Sequence, residues 1–546
     1  MTDIRHEMQG GEGAYFNGEN VRQFQILLEE VTRAKPGSPE ARFVHPDDDT
    51  VRVLSSKFHH VVFGRRGTGK SSLLRHIEGQ LRASGSLVAW VDQENLKALS
   101  YPDVLVAAVA EMLGQFAIQL DIKFPEQKKS WRNWFKPKQS AERQLVDDLR
   151  IATAALVDLK RMPDSSEVEW TEVMSDESSL QTDRSAQIGG SLKGVAIGAS
   201  GGRGRSQKSS RNSEVAQRYT ASKAEHLERA LSTYRVLMAR VGSLVGDAYV
   251  ILDDFYHLEY SDQPSIAGYF HRLVKDSGVW LKIGSIQLWT RLYAGGRPPV
   301  GMQVPHDLKD RTLDRNLQQF PGTKRFLEGI LSSLGDECGV ERDQLFSEGA
   351  LDRLILASGG VPRDYIGLVA LSISEAKNRG VSTKAGSSRV IAEDVNKAAG
   401  RTVENKLSDM REDAGEEWVQ LHKLVMDLTT HCRTSKSACF LIDTSDVLLV
   451  NDINRLQNMR FVHHVESNET LARQQSARYN AYVLDVSQLA AQRAWQVDFM
   501  SWTRREGRRA QKLIFRPGVA GDVVESAKGA AINANDDEGA VVRTVD

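Results

Sequence analysis

The segment His60-Val-Val-Phe63-Gly64-Arg-Arg-Gly67-Thr-Gly69-Lys70-Ser71 decides the fold, because it joins an apolar strand, a glycine-rich turn and the start of a helix. Its last eight residues match the phosphate-binding pattern G-x4-G-K-[ST]. The glycines allow backbone N–H groups to point at phosphate oxygens, and the helix start adds the positive end of a dipole. We therefore predict that Lys70 contacts the β- and γ-phosphates of ATP and that Ser71 binds Mg²⁺.

Most of the loop would contact the nucleotide through its main chain rather than through side chains. We expect the side chains of Arg65 and Arg66 to face solvent, and a contact with a partner or with nucleic acid is the less favoured alternative. The residues predicted to bind ATP are Gly64, Arg65, Arg66, Gly67, Thr68, Gly69, Lys70, Ser71 and Ser72.

A second apolar strand, Tyr249-Val-Ile-Leu-Asp253-Asp254, ends in two acids. This arrangement suits metal-assisted phosphoryl transfer, in which Asp253 would hold Mg²⁺ through water and Asp254 would polarise the attacking water. A strand that simply runs into an acidic turn is the structural alternative. An aspartate at position 254 is short for orienting a water, so we expect slow or partner-dependent turnover.

Two further segments point to the same site. Trp280–Gln287 predicts a third core strand, from which Ser285 or Gln287 would contact the γ-phosphate or orient water, or else satisfy a loop. Ser358-Gly-Gly360-Val-Pro362-Arg363-Asp364 predicts a turn followed by a helix. Arg363 would project from that helix start towards the γ-phosphate, although an exposed helix-start arginine is the alternative.

The ordered set of phosphate loop, acidic strand end, polar third strand and G-G-x-P-R turn resembles the AAA+ superfamily, over roughly residues 40–120 and 214–400. It is most similar to the origin-recognition-type clade and the related signal-transduction NTPases. The resemblance implies ATP and Mg²⁺ as cofactors, a helical lid with Arg363 as sensor, and a homo-oligomer completed by an arginine finger in trans. The best candidates for the finger are Arg311 and Arg315, followed by Arg291. Asp254, in place of the usual glutamate, and an insertion at 121–213 depart from the family pattern.

The predicted fold class is α/β: a P-loop parallel three-layer sandwich with a helical lid and a C-terminal winged-helix-like domain. Alternating strands and helices favour the parallel sheet, and Glu214–Val241 has the pattern of a helix. We expect an N-terminal helical extension at 1–50, the ATPase core at 51–320, the lid at 321–400, the winged-helix-like domain at 401–516 and a disordered tail at 517–546.

Residues 401–516 contain the order helix, strand, helix, hairpin that is typical of a winged helix. Such a domain would bind DNA phosphates or serve only in protein packing. A basic stripe follows it at helical spacing, and a solvated helix face is the alternative interpretation. The candidate DNA-contacting residues are Asn454, Arg455, Arg460, Arg473 and Arg478 in the domain, and Arg504, Arg505, Arg508, Arg509 and Lys512 in the stripe.

Composition limits the other classes of protein. The chain has 546 residues and a net charge of −1, which excludes a polybasic protein. Three cysteines cannot form a disulfide framework, so we expect a cytoplasmic protein. The apolar stretch Val104–Leu120 contains Glu111, Gln115 and Gln119, which favours a buried helix over a membrane span. Cys432 and Cys439, near His422 and His431, do not have the spacing of a zinc site.

Two hypotheses about function follow. The first is an ATPase that couples nucleotide-dependent assembly to nucleic-acid or partner engagement; a role in bacterial genome defence or mobile-element biology rests on family analogy alone. The second is a nucleotide-gated signalling switch that acts on a separate effector protein without binding DNA. A nucleotide-binding scaffold that hydrolyses little is a third possibility, because of Asp254.

Overall fold

The computed structural model describes residues 16, 18–31, 44, 48–125, 140–163, 165–173, 214–315, 317–383, 389–471, 474–490 and 511–517. These residues form two compact units. The parallel-sheet unit comprises the described residues within 47–64 and 70–312, and the antiparallel-sheet unit comprises those within 1–46, 65–69 and 313–546.

The strands belong to four sheets. In chain order they are β1 (His60–Phe63), β2 (Leu87–Asp92), β3 (Ser165–Val173), β4 (Glu214–Ser222), β5 (Ala248–Asp253), β6 (Val279–Ser285), β7 (Tyr293–Ala294), β8 (Val300–Gly301), β9 (Lys309–Thr312), β10 (Cys439–Asp443), β11 (Val462–Leu471) and β12 (Gln474–Leu484).

The α-helices of the parallel-sheet unit are numbered α2 to α7, and those of the antiparallel-sheet unit are α1 and α8 to α16. They are α1 (Glu19–Glu30), α2 (Asp48–Leu54), α3 (Lys70–Ala83), α4 (Asp103–Lys123), α5 (Ala141–Arg161), α6 (Lys223–Val245), α7 (Gln263–Val274), α8 (Phe320–Cys338), α9 (Arg342–Leu345), α10 (Glu348–Ser358), α11 (Pro362–Thr383), α12 (Ala392–Arg401), α13 (Val403–Ala414), α14 (Trp418–Ser435), α15 (Val447–Asn458) and α16 (Val486–Leu489). Short 3₁₀ turns occupy Gln93–Leu96, Phe255–His257, Gln287–Trp289, Leu317–Gln319, Gly415–Glu417 and Gln511–Leu513.

A five-stranded parallel sheet in the order β2-β5-β6-β1-β9 organises the first unit. All residues of β1 and β5 are buried, which explains why these strands are continuous apolar runs rather than alternating ones. The register pairs Asp92 with Asp253 and Phe63 with Ser285, so the carboxyl ends of four strands meet at one edge. The prediction of an α/β fold with a parallel sheet is confirmed.

The edge strand β9 gave no hydrophobic signal in the sequence. Its residues Lys-Asp-Arg-Thr are all exposed, and its backbone pairs with that of β1, where Val62 lies opposite Arg311. An exposed polar edge strand discourages pairing with another sheet edge. Sequence periodicity could not find this strand, because no side chain of it needs burial.

The predicted helix Glu214–Val241 was wrong in its first turns. Residues Glu214–Ser222 form β4, which pairs antiparallel with β3, and the helix begins only at Lys223. Ser222 accepts a hydrogen bond from the N–H of Glu225, and the Glu225 side chain accepts one from the N–H of Ser222. This capping box fixes the start of the helix.

Helix α4 covers the open edge of β2 with two glutamine side chains. The Gln115 amide accepts from Trp90 N at 2.8 Å and donates to Trp90 O at 2.6 Å, and Gln119 does the same for Val88 at 3.0 and 2.8 Å. Each amide thus makes the hydrogen bonds that a neighbouring strand would otherwise make with this edge of the sheet. By length and composition α4 is the one helix among the described residues that would suit a membrane, yet 61% of its apolar window is buried in this unit.

A single apolar core runs through the antiparallel-sheet unit. It joins α1, the helices between Phe320 and Arg401, and the three-stranded sheet of order β10-β12-β11. The helix, strand, helix and hairpin predicted after residue 417 are present as α14, β10, α15 and β11–β12. Their assignment as a winged helix, and that of residues 321–400 as a lid, remain proposals. Cys432 and Cys439 are buried in this core.

Candidate nucleotide-binding site

The phosphate loop has the backbone that its glycines require. Gly67 has φ +83° and Gly69 has φ +96°, a left-handed region that residues with a Cβ rarely adopt. At the base of the loop, Gly64 N donates to Ser285 O at 3.2 Å. The helix α3 begins at Lys70, so the first N–H groups of the helix have no partner within it.

The Lys70 ammonium is buried beside Gly64 and Tyr256. Only 5% of the residue is exposed, and its Nζ donates to Gly64 O at 2.9 Å and lies 5.7 Å from the centre of the Tyr256 ring. A buried cation beside backbone groups that can bind phosphate is suited to an anion of high charge. The predicted contact of Lys70 with the phosphates of ATP stays a prediction.

Asp253 lies beside Ser71 at the carboxyl end of β5. It is 4% exposed, and Ser71 donates a side-chain hydrogen bond to it. Burial, together with the neighbouring Asp254, raises the pKa of Asp253 to about 7, although Ser71 and Lys70 act in the opposite direction. A buried carboxylate with too little positive charge around it, next to a serine hydroxyl, fits a hard divalent cation. Both predicted Mg²⁺ ligands are therefore placed together.

Asp254 adopts a left-handed conformation with φ +51°, and its N–H donates to Asp253 Oδ1 at 3.0 Å. Non-glycine residues in this region are strained and often occur at functional sites. Ligand atoms of Asp254, Glu94 and His257 all lie within 4.8 Å of one another. Burial, followed by Asp254, raises the pKa of Asp92, which faces Asp253 across the sheet. The acidic strand ends therefore form one cluster.

Gly284, which sequence reasoning missed, makes room for the Asp253 side chain. A Cβ at this position of β6 would lie 2.5 Å from Asp253 Oδ1 and 2.8 Å from Leu74 Cδ1. No side chain larger than hydrogen fits there without displacing Asp253. A glycine inside an apolar strand was the only available signal in the sequence.

The third-strand candidates differ in their surroundings. Ser285 is fully buried and its hydroxyl lies 2.5 Å from Thr290 Oγ1, so it satisfies the loop that follows β6. Gln287 is exposed in the 3₁₀ turn after the strand. Ser72 is exposed on α3, whereas the Thr68 hydroxyl is buried and donates to Arg65 O at 2.9 Å.

The expectation that Arg65 faces solvent was wrong. The residue is 3% exposed, its Nε lies 3.3 Å from Asp314 Oδ1, and its Nη2 donates to Arg315 O at 3.0 Å and Gly359 O at 3.2 Å. The Arg65 N–H also donates to Asp314 Oδ1 at 2.8 Å. These partners lie about 250 residues or more away in sequence, so no local pattern could reveal them. Arg66 is half-buried.

Arg363 lies at the start of α11, directly against the loop. Its N–H donates to Gly67 O at 3.2 Å, and its side chain is exposed. The turn before it uses Gly359 at φ +57° and Gly360 at φ +81°, as the predicted turn requires. The structure thus brings this helix start to residue 67 of the loop.

The finger candidates lie in three settings. Arg311 is exposed on β9, with its Nη1 donating to Asp310 O at 3.2 Å. The Arg315 guanidinium stacks 4.2 Å from the centre of the Phe326 ring. Arg291 is exposed, and its N–H donates to Gln263 Oε1 at 2.7 Å.

Two candidate DNA contacts in the C-terminal region are occupied by ion pairs. Arg460 is 14% exposed and pairs with Asp364 at 2.7 Å and Asp409 at 2.9 Å, which contradicts its expected role at a DNA surface. Arg455 pairs with Glu417. Arg478 is exposed and Asn454 half-buried. Arg473 and the arginines of the stripe lie outside the described residues, whereas Lys512 is exposed.

Comparisons with known proteins do not assign a family to this chain. No protein-family model matches the sequence, and no curated protein matches it. Among solved structures, the Aeropyrum pernix ORC1 protein in complex with DNA is similar at a TM-score of 0.33 and 13% identity, over 86% of this chain and 94% of that chain. This similarity is too low to assign the chain to that family, so the proposals below rest on the residues of the site.

Proposed function

We propose that the protein binds ATP with Mg²⁺ at the phosphate loop and hydrolyses it slowly. The observations that carry this proposal are the burial of Lys70 and Asp253, the hydrogen bond from Ser71 to Asp253, and the left-handed conformation of Gly67 and Gly69. A loop of this shape at a helix start binds phosphate through main-chain N–H groups, and the lysine adds a charge. Asp253, beside Ser71, would add a binding site for Mg²⁺ to the phosphate-binding loop.

The residues would divide the work of hydrolysis as follows. Bound Mg²⁺ would neutralise charge on the phosphate oxygens. Ser71 and Asp253 would hold the metal, and Lys70 would hold the phosphates in line for attack. Asp254 would accept a hydrogen bond from the attacking water and orient it. Its short side chain must reach from a fixed left-handed backbone, so a poorly placed water and a low turnover are expected.

Sensing and assembly are further parts of the proposal. Arg363, whose main chain binds the loop at Gly67, would report the presence of the γ-phosphate. Arg311 or Arg315 would complete the site of a neighbouring copy in a homo-oligomer. The AAA+ assignment is inferred from the motif order, supported by the five-stranded parallel sheet. The oligomer is inferred from the family resemblance of the motifs alone.

The direct test is an equilibrium titration of the wild-type protein with ATP, with and without Mg²⁺, followed by a phosphate-release assay. We expect binding that Mg²⁺ strengthens, and a slow release that depends on the metal. A protein that binds no ATP under either condition would contradict the proposal.

DNA engagement is a second proposal, carried by the basic stripe. Arg504, Arg505, Arg508 and Arg509 precede a segment that lies along β10, where Phe515 N donates to Leu441 O at 2.9 Å. Because Arg455 and Arg460 are engaged in ion pairs, the stripe and Arg478 remain the best candidates for phosphate contacts. Phosphate contacts would position the protein without reading sequence.

We expect DNA binding to weaken steeply with salt, with a slope of log K against log salt of roughly −3 to −4 if three to five contacts form. Replacing the four arginines of the stripe by alanine should flatten that slope and leave ATP binding unchanged. Fluorescence anisotropy at several salt concentrations measures both. Wild-type protein without salt-sensitive DNA binding, with and without ATP, would favour the signalling switch that acts on a separate effector.

A further inference from the structure

The Arg65 side chain links the phosphate loop to a distant turn. Its Nη2 donates to Gly359 O, and its Nε lies beside Asp314. A second link runs parallel to it, because Arg363 N donates to Gly67 O at 3.2 Å. The turn 359–364 is therefore attached to the loop at residues 359 and 363.

The loop and the turn are closely packed at Gly67, with no room for an added side chain. A Cβ on Gly67 would lie 2.8 Å from Arg363 Cβ and 3.1 Å from Val361 Cγ1. Close-packed atoms transmit a displacement rather than absorb it. Any change of the loop on binding phosphate must therefore move the turn or break these contacts.

The other side of the turn is packed against the hairpin β11–β12. A Cβ on Gly359 would lie 2.0 Å from Nδ1 of His463, a residue of β11 that is 2% exposed at its side chain. His463 Nε2 lies 2.9 Å from Asp485 Oδ2, directly after β12, and Lys406 Nζ lies 2.8 Å from Asp485 Oδ1. Burial lowers the pKa of His463, and the neighbouring Asp485 acts in the opposite direction.

An ion pair of Arg460 with Asp364 attaches the same segment to the residues just before the hairpin. Arg460, just before β11, forms its ion pairs with Asp364 in the first turn of α11 and with Asp409 in α13. The segment 359–364 is thus held by the loop on one side, and by Arg460 and His463 on the other.

We propose that Arg65 is a positioning residue that couples nucleotide occupancy of the loop to the hairpin β11–β12, through the turn 359–364, His463 and Asp485. The coupling rests on the proposed ATP binding. Two discrete arrangements of this chain of contacts, one with and one without nucleotide, would let the C-terminal region respond to the state of the loop. By reciprocity, a ligand of the hairpin would alter ATP affinity.

Hydrogen exchange measured with and without saturating MgATP tests the coupling. In the wild type we expect ATP to slow the exchange of amides in Val462–Leu471 and Gln474–Leu484 by about threefold or more. Arg65→Met and His463→Phe should each abolish this ATP-dependent difference. The methionine keeps the length of the side chain without its donors, and the phenylalanine fills the space beside Gly359 without the link to Asp485.

The difference between the two states is the signal. A residue that only stabilises the fold would change exchange equally with and without ATP. Arg342→Met is the matched control, because Arg342 forms comparable ion pairs with Glu328 and Asp343 but has no contact with the loop among its described partners. This variant should keep the ATP-dependent difference. If Arg65→Met does not fold, as judged by circular dichroism, the wild type and His463→Phe still decide the result.

The outcomes distinguish a failure of the coupling between loop and hairpin from a failure of the proposed ATP binding. A wild type that binds ATP but shows no change in the hairpin overturns the coupling and leaves ATP binding intact. A hairpin difference of wild-type size in both Arg65→Met and His463→Phe also overturns it. A wild type that binds no ATP overturns both.

Discussion

Lys70→Ala should weaken ATP binding at least tenfold. The substitution removes a buried cation whose Nζ donates to Gly64 O at 2.9 Å. Loss of one charge-assisted hydrogen bond to phosphate costs about 1.5–3 kcal/mol, which corresponds to roughly one to two orders of magnitude in affinity. Isothermal titration with a non-hydrolysable ATP analogue measures the change.

The control is Lys275→Ala, which removes an exposed lysine of the same unit. The ATP affinity of this variant should stay within about twofold of the wild type, because Lys275 is exposed and is not a residue of the proposed site, and solvent and salt screen an exposed charge. Equal affinities for Lys70→Ala and the wild type would show that the loop is not the nucleotide site.

Asp253→Asn and Asp254→Asn should affect the protein differently. Asn at 253 keeps an oxygen that can accept from the Asp254 N–H, but it removes the charge that would hold Mg²⁺ beside Ser71. We expect the metal-dependent part of ATP affinity and the hydrolysis rate to be lost together. A tenfold or larger fall in the rate corresponds to at least about 1.4 kcal/mol of lost transition-state stabilisation.

Asp254→Asn should keep ATP and Mg²⁺ binding and lose turnover. Asparagine tolerates the left-handed conformation at φ +51°, so the backbone is not disturbed. Only the ability to orient the water by a charged oxygen is removed. The two variants are compared by titration with and without Mg²⁺ and by single-turnover phosphate release. An unchanged hydrolysis rate in Asp254→Asn would place the water-orienting group elsewhere, and the neighbouring Glu94 would be the first residue to test.

The predicted phosphate loop and the acidic strand end could be found from the sequence because each is encoded in adjacent residues. Glycine spacing fixes the left-handed positions at 67 and 69, and the apolar runs before Gly64 and Asp253 predict buried strands. A parallel sheet then brings the ends of these strands to one edge without further information. Ser71 and Asp253 meet for that reason, although 182 positions separate 71 from 253.

Other features depend on contacts that leave no local pattern. The burial of Arg65, the space that Gly284 leaves for Asp253 and the two glutamines along β2 each involve partners from separate elements. The exposed strand β9 has no apolar residue to mark it. A basic residue likewise does not show in the sequence whether it faces DNA or an acid of its own chain, and Arg460 turned out to pair with Asp364 and Asp409.

The sequence by itself therefore determined the local features: a glycine-rich loop with two left-handed residues, a lysine at the start of the next helix and an acid at the end of a strand. Only the tertiary structure decided what holds the loop, because the partners of Arg65 come from chain segments about 250 residues or more away. The physical reason is that backbone conformation and hydrophobic periodicity are set by neighbouring residues. Burial and ion pairing are set instead by which distant segments pack together, since a charged side chain is buried only where the fold supplies its partners.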